Sequence, residues 1–301
     1  MRLPLLYPPV CYGFVLYFQA AFSIDMKKIL LAMVLLSGAT YYASAQNGAF
    51  RSPGNSLYWK NRMPDAAYWQ QDVHYDIDAR IDEEKHIIEP AETLEYWNNS
   101  PDTLHFVYFH LWQNAFVRGS HLHALEKASN TKIRLGKYEK EGLGTVVEKL
   151  TADGSELKTE LDNTIMKVYL PKPLYPGAKV RFVMDFKTYY DNGATRRRMK
   201  MYDAWGFKHY NGVQWFPKIC VYDRKFGWDT HQHLNKEFYA DFGSYNVSLD
   251  FPSNYIVEAT GELMNRKEML PDTLREKLDI KNFANKKWNE KPSEIIAYKK
   301  G

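Results

Sequence analysis

From Asp72 the chain alternates without a break. Val73, Tyr75, Ile77, Ala79 and Ile81 are apolar, and His74, Asp76, Asp78, Arg80 and Asp82 between them are polar. In an extended chain successive side chains leave on opposite faces, so this period of two predicts a half-buried β-strand. A helix would scatter the same residues around its circumference and leave no face to bury. The pattern returns at Val180, Phe182, Met184 and Phe186, and again at Tyr245, Val247, Leu249 and Phe251.

The intervening segments extend the reading. "IIEPAETLEYWN" reads as a second strand, with Pro90 suggesting an edge or a bulge because proline cannot donate to a ladder. "LHFVYFHLW", residues 104–112, is nearly continuously apolar, as a strand covered on both faces would be. The turn formers in "DEEKH" and "NNSPDT" join these into an antiparallel meander of consecutive strands. Residues 173–177 make a turn, and "PSN" at 252–254 leads into a further strand, "YIVEATGEL". The stretch 125–158 mixes short apolar pieces with glycine and charge, which suggests hairpins. From Asn265 the chain becomes rich in Lys and Glu, and Thr273-x-x-Glu276 forms a capping-box pattern for a short helix carrying Leu274 and Leu278. The fold class expected is all-β or β-dominated, an antiparallel sandwich with a short helical tail.

The N-terminus reads as an address. From Met26, "MKKILLAMVLLSGATYYASAQ" has a basic start, an apolar run and Ala43-Ser44-Ala45 before Gln46, the three parts of a secretory signal. The expected organisation is a targeting region over 1–45, with 1–25 a mis-called start, then a lead-in over 46–67. A β-domain follows over 68–264 and a charged tail over 265–301. The destination is export, periplasmic or extracellular. The apolar run is far shorter than the ~20 residues of a membrane span, so no span is expected after signal removal. Cys11 falls in the targeting region, leaving Cys220 between Ile219 and Val221 as a small buried hydrophobe, with no disulfide and no cysteine-based zinc site.

The chemistry sought in the residues is sparse. Forty basic against thirty-six acidic residues give a net charge of +4, too small an excess for a nucleic-acid footprint. The run Arg196-Arg197-Arg198 reads as a solvated loop. Helical H-E-x-x-H, the nucleophile elbow G-x-S-x-G and the phosphate loop are all missing from the 301 residues. Carboxylate pairs such as Asp76-x-Asp78 and Glu83-Glu84 fall at solvent-facing positions. His121-x-His123 and His231-x-His233 would each point both rings to one side if they lay on strands, which leaves a histidine-based metal site as one alternative. By its own residues the chain expects no catalytic set, no cofactor and no metal ligands.

One stretch stands apart. "YNGVQWFPKICVYDRKFGWDT", residues 210–230, crowds aromatics around Pro217 and Cys220. Trp215-Phe216-Pro217, then Val221-Tyr222-Asp223, then the Tyr245–Gly261 segment of the form Y-x-V-x-L-x-x-P-x-x-Y-x-V-x-A-T-G, together resemble the N-terminal β-domain of aminopeptidase N-type zinc metallopeptidases of the secreted bacterial kind. "HYDIDARIDEEKHIIEPAETLEYWNNSPDTLHFVYFHLW" is similar to the opening strands of that domain, and "YLPKPLYPGAKVRFVMDF" to a later hairpin. The resemblance covers roughly 68–265. It implies a saddle-like β-domain beside a catalytic domain holding zinc, with peptides as substrate and zinc as the cofactor of the full-length protein. It also implies that this chain is the non-catalytic N-terminal portion, ending before the H-E-x-x-H domain. The family uses a Gln or Glu just ahead of the Phe-Pro signature to hold the substrate's α-amine, and Gln214 is the candidate by proximity. Trp215, Phe216, Pro217 and Tyr222 read as packed scaffold. The alternative function is a stand-alone exported β-sandwich that binds peptides or glycans through its aromatics.

Overall fold

The computed structural model describes residues 67–193, 199–234 and 239–284, with Gly54, Lys287 and Asn289. The expected signal peptide, almost all of the expected lead-in, the arginine run and the end of the tail lie outside the described residues. The chain divides into two compact units. Among the described residues one comprises Ala67–Gln71 with Val221–Trp228, and the other those of Asp72–Cys220 and from Asp229 to Ala284.

In the larger unit the strands are β1 (Asp72–Asp82), β2 (Ile87–Trp97) and β3 (Leu104–His110). Helices α1 (His121–Ala128) and α2 (Lys137–Glu141) follow. Next come β4 (Thr145–Ala152), β5 (Ser155–Glu156), β6 (Thr159–Asp162), β7 (Ile165–Leu174) and β8 (Lys179–Tyr189). After these come β9 (Lys200–Ala204), β10 (Phe207–Asn211) and β11 (Lys218–Ile219). In the smaller unit β12 (Tyr222–Asp223) pairs with β13 (Gly227–Trp228); the larger unit resumes with β14 (Ser244–Asp250), α3 (Arg266–Met269) and α4 (Asp272–Lys277).

The architecture is β-dominated, as the alternation predicts. A six-stranded sheet runs β14-β1-β2-β8-β4-β5, and a four-stranded sheet runs β11-β3-β7-β6. Val73, Tyr75, Ile77, Ala79 and Ile81 are all buried on β1, and Val180, Phe182, Met184 and Phe186 on β8. Phe182 meets Phe109 of the second sheet edge-on, ring centroids 5.6 Å apart and 89° inclined. That contact closes the core between the sheets, because aromatic rings prefer edge-to-face packing to a flat sandwich.

Several expectations need correction. The opening strands do not form one meander: β1 and β2 pair, but β3 crosses to the other sheet and pairs with β7. Buried Asn98 causes the crossing. Its amide donates to Asp102 O (2.7 Å) and Leu174 O (3.0 Å), and its backbone bonds to Ala178 O (2.9 Å) and Gly177 N (2.7 Å). The turn is thus tied to the β7–β8 corner, and β8 takes the place beside β2. Nor is β3 covered on both faces. Val107 and Phe109 point inward, while Phe106 and Tyr108 are half-exposed, with Lys167 Nζ 4.3 Å above the Phe106 ring.

Pro90 lies in a central strand rather than at an edge. Pairing from β2 to β8 lapses over Glu89 and Pro90 and resumes at Ala91 in the same register, the local consequence of a missing N–H. β14 pairs with β1 in parallel, against the antiparallel expectation, and its residues are exposed apart from Leu249. "YIVEATGEL" forms no strand among its described residues. The 125–158 stretch carries helices as well as strands. α2 is anchored by Asp191, whose carboxylate accepts from Lys137 N (3.1 Å) and Glu139 N (3.0 Å). A Cβ at Gly136 would fall 1.7 Å from Asp191 Oδ1, so only glycine fits there. The tail does contain the short helix α4, but Pro271 and not Thr273 occupies its N-cap.

Candidate functional site

Within the larger unit, the aromatic segment is laid down as a ledge along the edge of the second sheet. Pro217, buried, precedes β11, a two-residue edge strand. The backbone is fixed from several sides. Thr188 Oγ1 donates to Trp215 O (2.6 Å), Ile219 N–H donates to Tyr75 OH (3.0 Å), and Cys220 N–H donates to Tyr108 O (2.8 Å). Phe216 stands edge-on to Tyr75 (5.5 Å) and Tyr245 (6.1 Å), and those two tyrosines stack at 4.9 Å with planes 4° apart. The stack follows from the sheet, since Tyr75 and Tyr245 are register partners on the parallel strands β1 and β14. Trp215 closes the row against Phe216 at 5.4 Å. Pro217 is buried and Trp215 and Phe216 are half-buried, so these residues pack into the domain as the sequence suggested. In the smaller unit Tyr222 plays the same part, stacked on Trp228 (4.7 Å) and inclined against Trp69 (5.1 Å).

Gln214 sits just before the ledge, half-buried, in the left-handed backbone region at φ 52°. Such a backbone is uncommon for a residue with a side chain, and it is imposed here from outside. Buried Gln113 donates Nε2 to Val213 O (2.7 Å) and Gln214 O (3.3 Å). Sequence reasoning passed over Gln113, because nothing in "HLWQNAF" marks a glutamine that positions a loop a hundred residues away.

Glu92 was also missed. It is 1% exposed, and neither carboxylate oxygen has a hydrogen-bond partner. Burial alone holds its carboxyl well above the ordinary value, so it resists ionisation. Burial first, then the neighbouring Glu92 charge, push the Tyr75 phenol up; the same two causes raise Tyr245 to about 12. The signal was present: Pro90, Glu92, Leu94 and Tyr96 share the inward face of β2 by the same period of two that marks β1. Near the ledge Lys218 is depressed by burial, an effect that the Asp241 charge opposes, and its Nζ lies 5.8 Å from the centre of the Tyr245 ring.

The histidine pairs do not come together as expected. His121 and His123 lie on α1, where residues two apart diverge, and not on a strand. Ser120 caps that helix, its Oγ accepting from His123 N (3.0 Å). His123 Nδ1 accepts from Gly119 N–H (2.9 Å), and His121 Nε2 is 3.3 Å from Asp162. His231 pairs with Asp229, while His233 stands edge-on to Phe116 at 5.7 Å. Among the described residues no three His, Cys, Asp or Glu are placed to hold a metal ion. His110 is buried, stacked on Trp112 at 5.2 Å, with both ring nitrogens unpartnered. Burial pushes its pKa down to about 4, with the Asp229 charge opposing. Cys220 is fully buried and free, its thiol pushed well up by burial. The ledge and its surroundings can orient and pack; they do not assemble a nucleophile with a base.

No protein-family model matches the chain, and no curated protein matches it. Among solved structures it is similar to an M1 zinc metallopeptidase from Deinococcus radiodurans, at 17% identity over 40% of this chain and 21% of that one, with a TM-score of 0.27. A mutant of that enzyme bound to a Tyr-Ser-Ala substrate matches at 16% identity over 49% and 28% of the two chains, TM-score 0.31. A two-domain M1 zinc metallopeptidase mutant bound to L-tryptophan gives 17%, 49%, 28% and 0.31. The chain therefore spans between 21% and 28% of the length of these structures. Among the described residues no helix is long and apolar enough to cross a membrane.

Proposed function

We propose that this chain is the non-catalytic N-terminal β-domain of an exported, zinc-dependent aminopeptidase-like metallopeptidase. Peptide hydrolysis from the N-terminus would be carried out by a separate H-E-x-x-H domain of the full-length protein. The zinc of that domain would make a bound water nucleophilic near neutral pH. The residues described here do not fit a zinc site, so in this reading the metal belongs elsewhere. The role of this chain is to hold Gln214, at the head of the packed ledge, beside the substrate's α-amine.

One observation carries the reading. The three segments with the family resemblance each give one ring to a single cluster: Tyr75 from the opening strand, Phe216 from the Phe-Pro signature and Tyr245 from the Y-x-V-x-L strand. The test is the native protein. An antiserum against residues 46–301 should detect an exported species far heavier than 35.3 kDa that co-purifies with chelator-sensitive aminopeptidase activity. A species at or just below that mass, without such activity, overturns the proposal. In the full-length enzyme Gln214→Ala should raise KM about tenfold for peptides with a free N-terminus and leave kcat nearly unchanged.

A further inference from the structure

The faces of β1 and β14 that turn away from the ledge bring a hydroxyl to a base. His74 and Ser244 are register partners on these parallel strands, as are Asp76 and Asn246. Side chains two apart on a strand leave on one face, so all four stand together, opposite Tyr75 and Tyr245. Ser244 Oγ lies 2.6 Å from His74 Nδ1, and Asp76 Oδ2 lies 3.4 Å from His74 Nε2. The Asn246 amide donates to Asp76 Oδ1 (2.8 Å) and so holds that carboxylate in place; its 3.5 Å separation from His74 Nε2 is too long for a good hydrogen bond. An ionised carboxylate only accepts, so it favours the ring proton on Nε2 and leaves Nδ1 to accept from the Ser244 hydroxyl. Nucleophile, base and orienting acid follow in the order of a serine hydrolase, with the two ring nitrogens exchanged.

The backbone is built for this approach. A Cβ at Gly243 would fall 2.4 Å from Val73 Cγ2 and 3.0 Å from Val73 O, so glycine is what lets β14 come close enough to set Ser244 against His74. On the other flank of His74 its β2 partner is Glu95, whose carboxylate is already paired with Lys179 Nζ at 2.9 Å. Register does not depend on these side chains, since the pairing of β1 with β14 runs on to Arg80 and Asp250. Ser244 and Asp76 are exposed and His74 is half-buried, so a substrate can reach all three. So open a face offers little to hold an oxyanion, and one such donor is worth on the order of 10²–10³ in rate. The arrangement therefore suits an ester with a good leaving group and not a peptide bond.

We propose that Ser244, His74 and Asp76 form a serine-esterase site for small activated carboxylic esters. Ser244 Oγ bonds to the ester carbonyl carbon as its proton passes to His74 Nδ1. The bond from that carbon to the alcohol oxygen then breaks, and His74 gives the proton to the departing alcohol. Water completes the cycle: it yields a proton to His74, its oxygen bonds to the acyl carbon, and the acid leaves as Ser244 recovers its proton. Ser244 and His74 are the catalytic residues, and Asp76 is a positioning residue. This inference is independent of the peptidase reading, in which the peptide-cleaving groups lie in a separate domain. The purified chain should hydrolyse p-nitrophenyl acetate, and a fluorophosphonate should bond to Ser244 Oγ with loss of fluoride, located by peptide mass spectrometry. Ser244→Ala and His74→Gln should each lower kcat about 100-fold, and His74→Gln should also abolish labelling of Ser244. Asp76→Asn should lower kcat about tenfold with KM unchanged. The melting temperature of Ser244→Ala should stay level, because the replaced hydroxyl is exposed. An unlabelled Ser244 in the folded wild type, equal labelling in His74→Gln, or ester hydrolysis undiminished in Ser244→Ala overturns the proposal.

Discussion

β1 and β14 are neighbours, hydrogen-bonded in parallel, and both alternate apolar with polar residues, yet they end in opposite environments. On β1 Tyr75 and Ile77 are 0% and 2% exposed; on β14 their register partners Tyr245 and Val247 are 39% and 46% exposed. The difference lies in what covers each strand. The inward face of β1 lies under the second sheet, while β14 is the outer strand of its sheet. Alternation determines that a segment is extended and which residues share a face; burial requires a partner that the segment does not encode.

The sharpest way to break this comparison is to cut the covered region. Phe182→Ala should cost ~3–5 kcal/mol, since it removes a fully buried ring that meets Phe109. Denaturant unfolding measures this, and a loss below ~1 kcal/mol would mean that the two sheets are not packed together.

Next come the buried ionisable groups, which sharpen the contrast through pH. His110 titrates near 4 when folded and near 6.5 when free, so between those values the unfolded chain binds the extra proton. Stability should therefore rise with pH across that window, by about 3 kcal/mol in all, and His110→Phe should flatten the slope. Glu92 acts in the opposite sense. Its folded pKa is raised, so above the unfolded value of 4.5 the folded state alone retains the proton and stability falls as pH rises. Glu92→Gln should remove that decline and raise the melting temperature at neutral pH; an unchanged pH profile would show that the carboxyl is solvated.

The smallest effect belongs to the exposed strand. Val247→Ala should cost less than ~0.5 kcal/mol in the isolated chain. A loss as large as that of Phe182→Ala would show that something buries β14.

Sequence and structure divide along the same line. Read alone, the sequence determined the β character, the inward residues of β1 and β8, the burial of Cys220 and the packing of the Phe216 ledge. Each of these is a local periodicity or an unusual concentration of residue types. It also held the position of Glu92, had the face shared with Leu94 and Tyr96 been followed without assuming that acids face water. Only the tertiary structure decided that β3 leaves the meander, that β14 runs parallel to β1, and that His121 and His123 sit on a helix where their rings diverge. It alone brought Gln113 to the backbone of Gln214. Those outcomes rest on hydrogen bonds and ring contacts between residues far apart in the chain, such as Asn98 with Leu174 and Tyr75 with Ile219. A side chain's own neighbours in sequence set its local geometry, but long-range partners compete for each strand edge, and the best-satisfied set of buried polar groups selects among them.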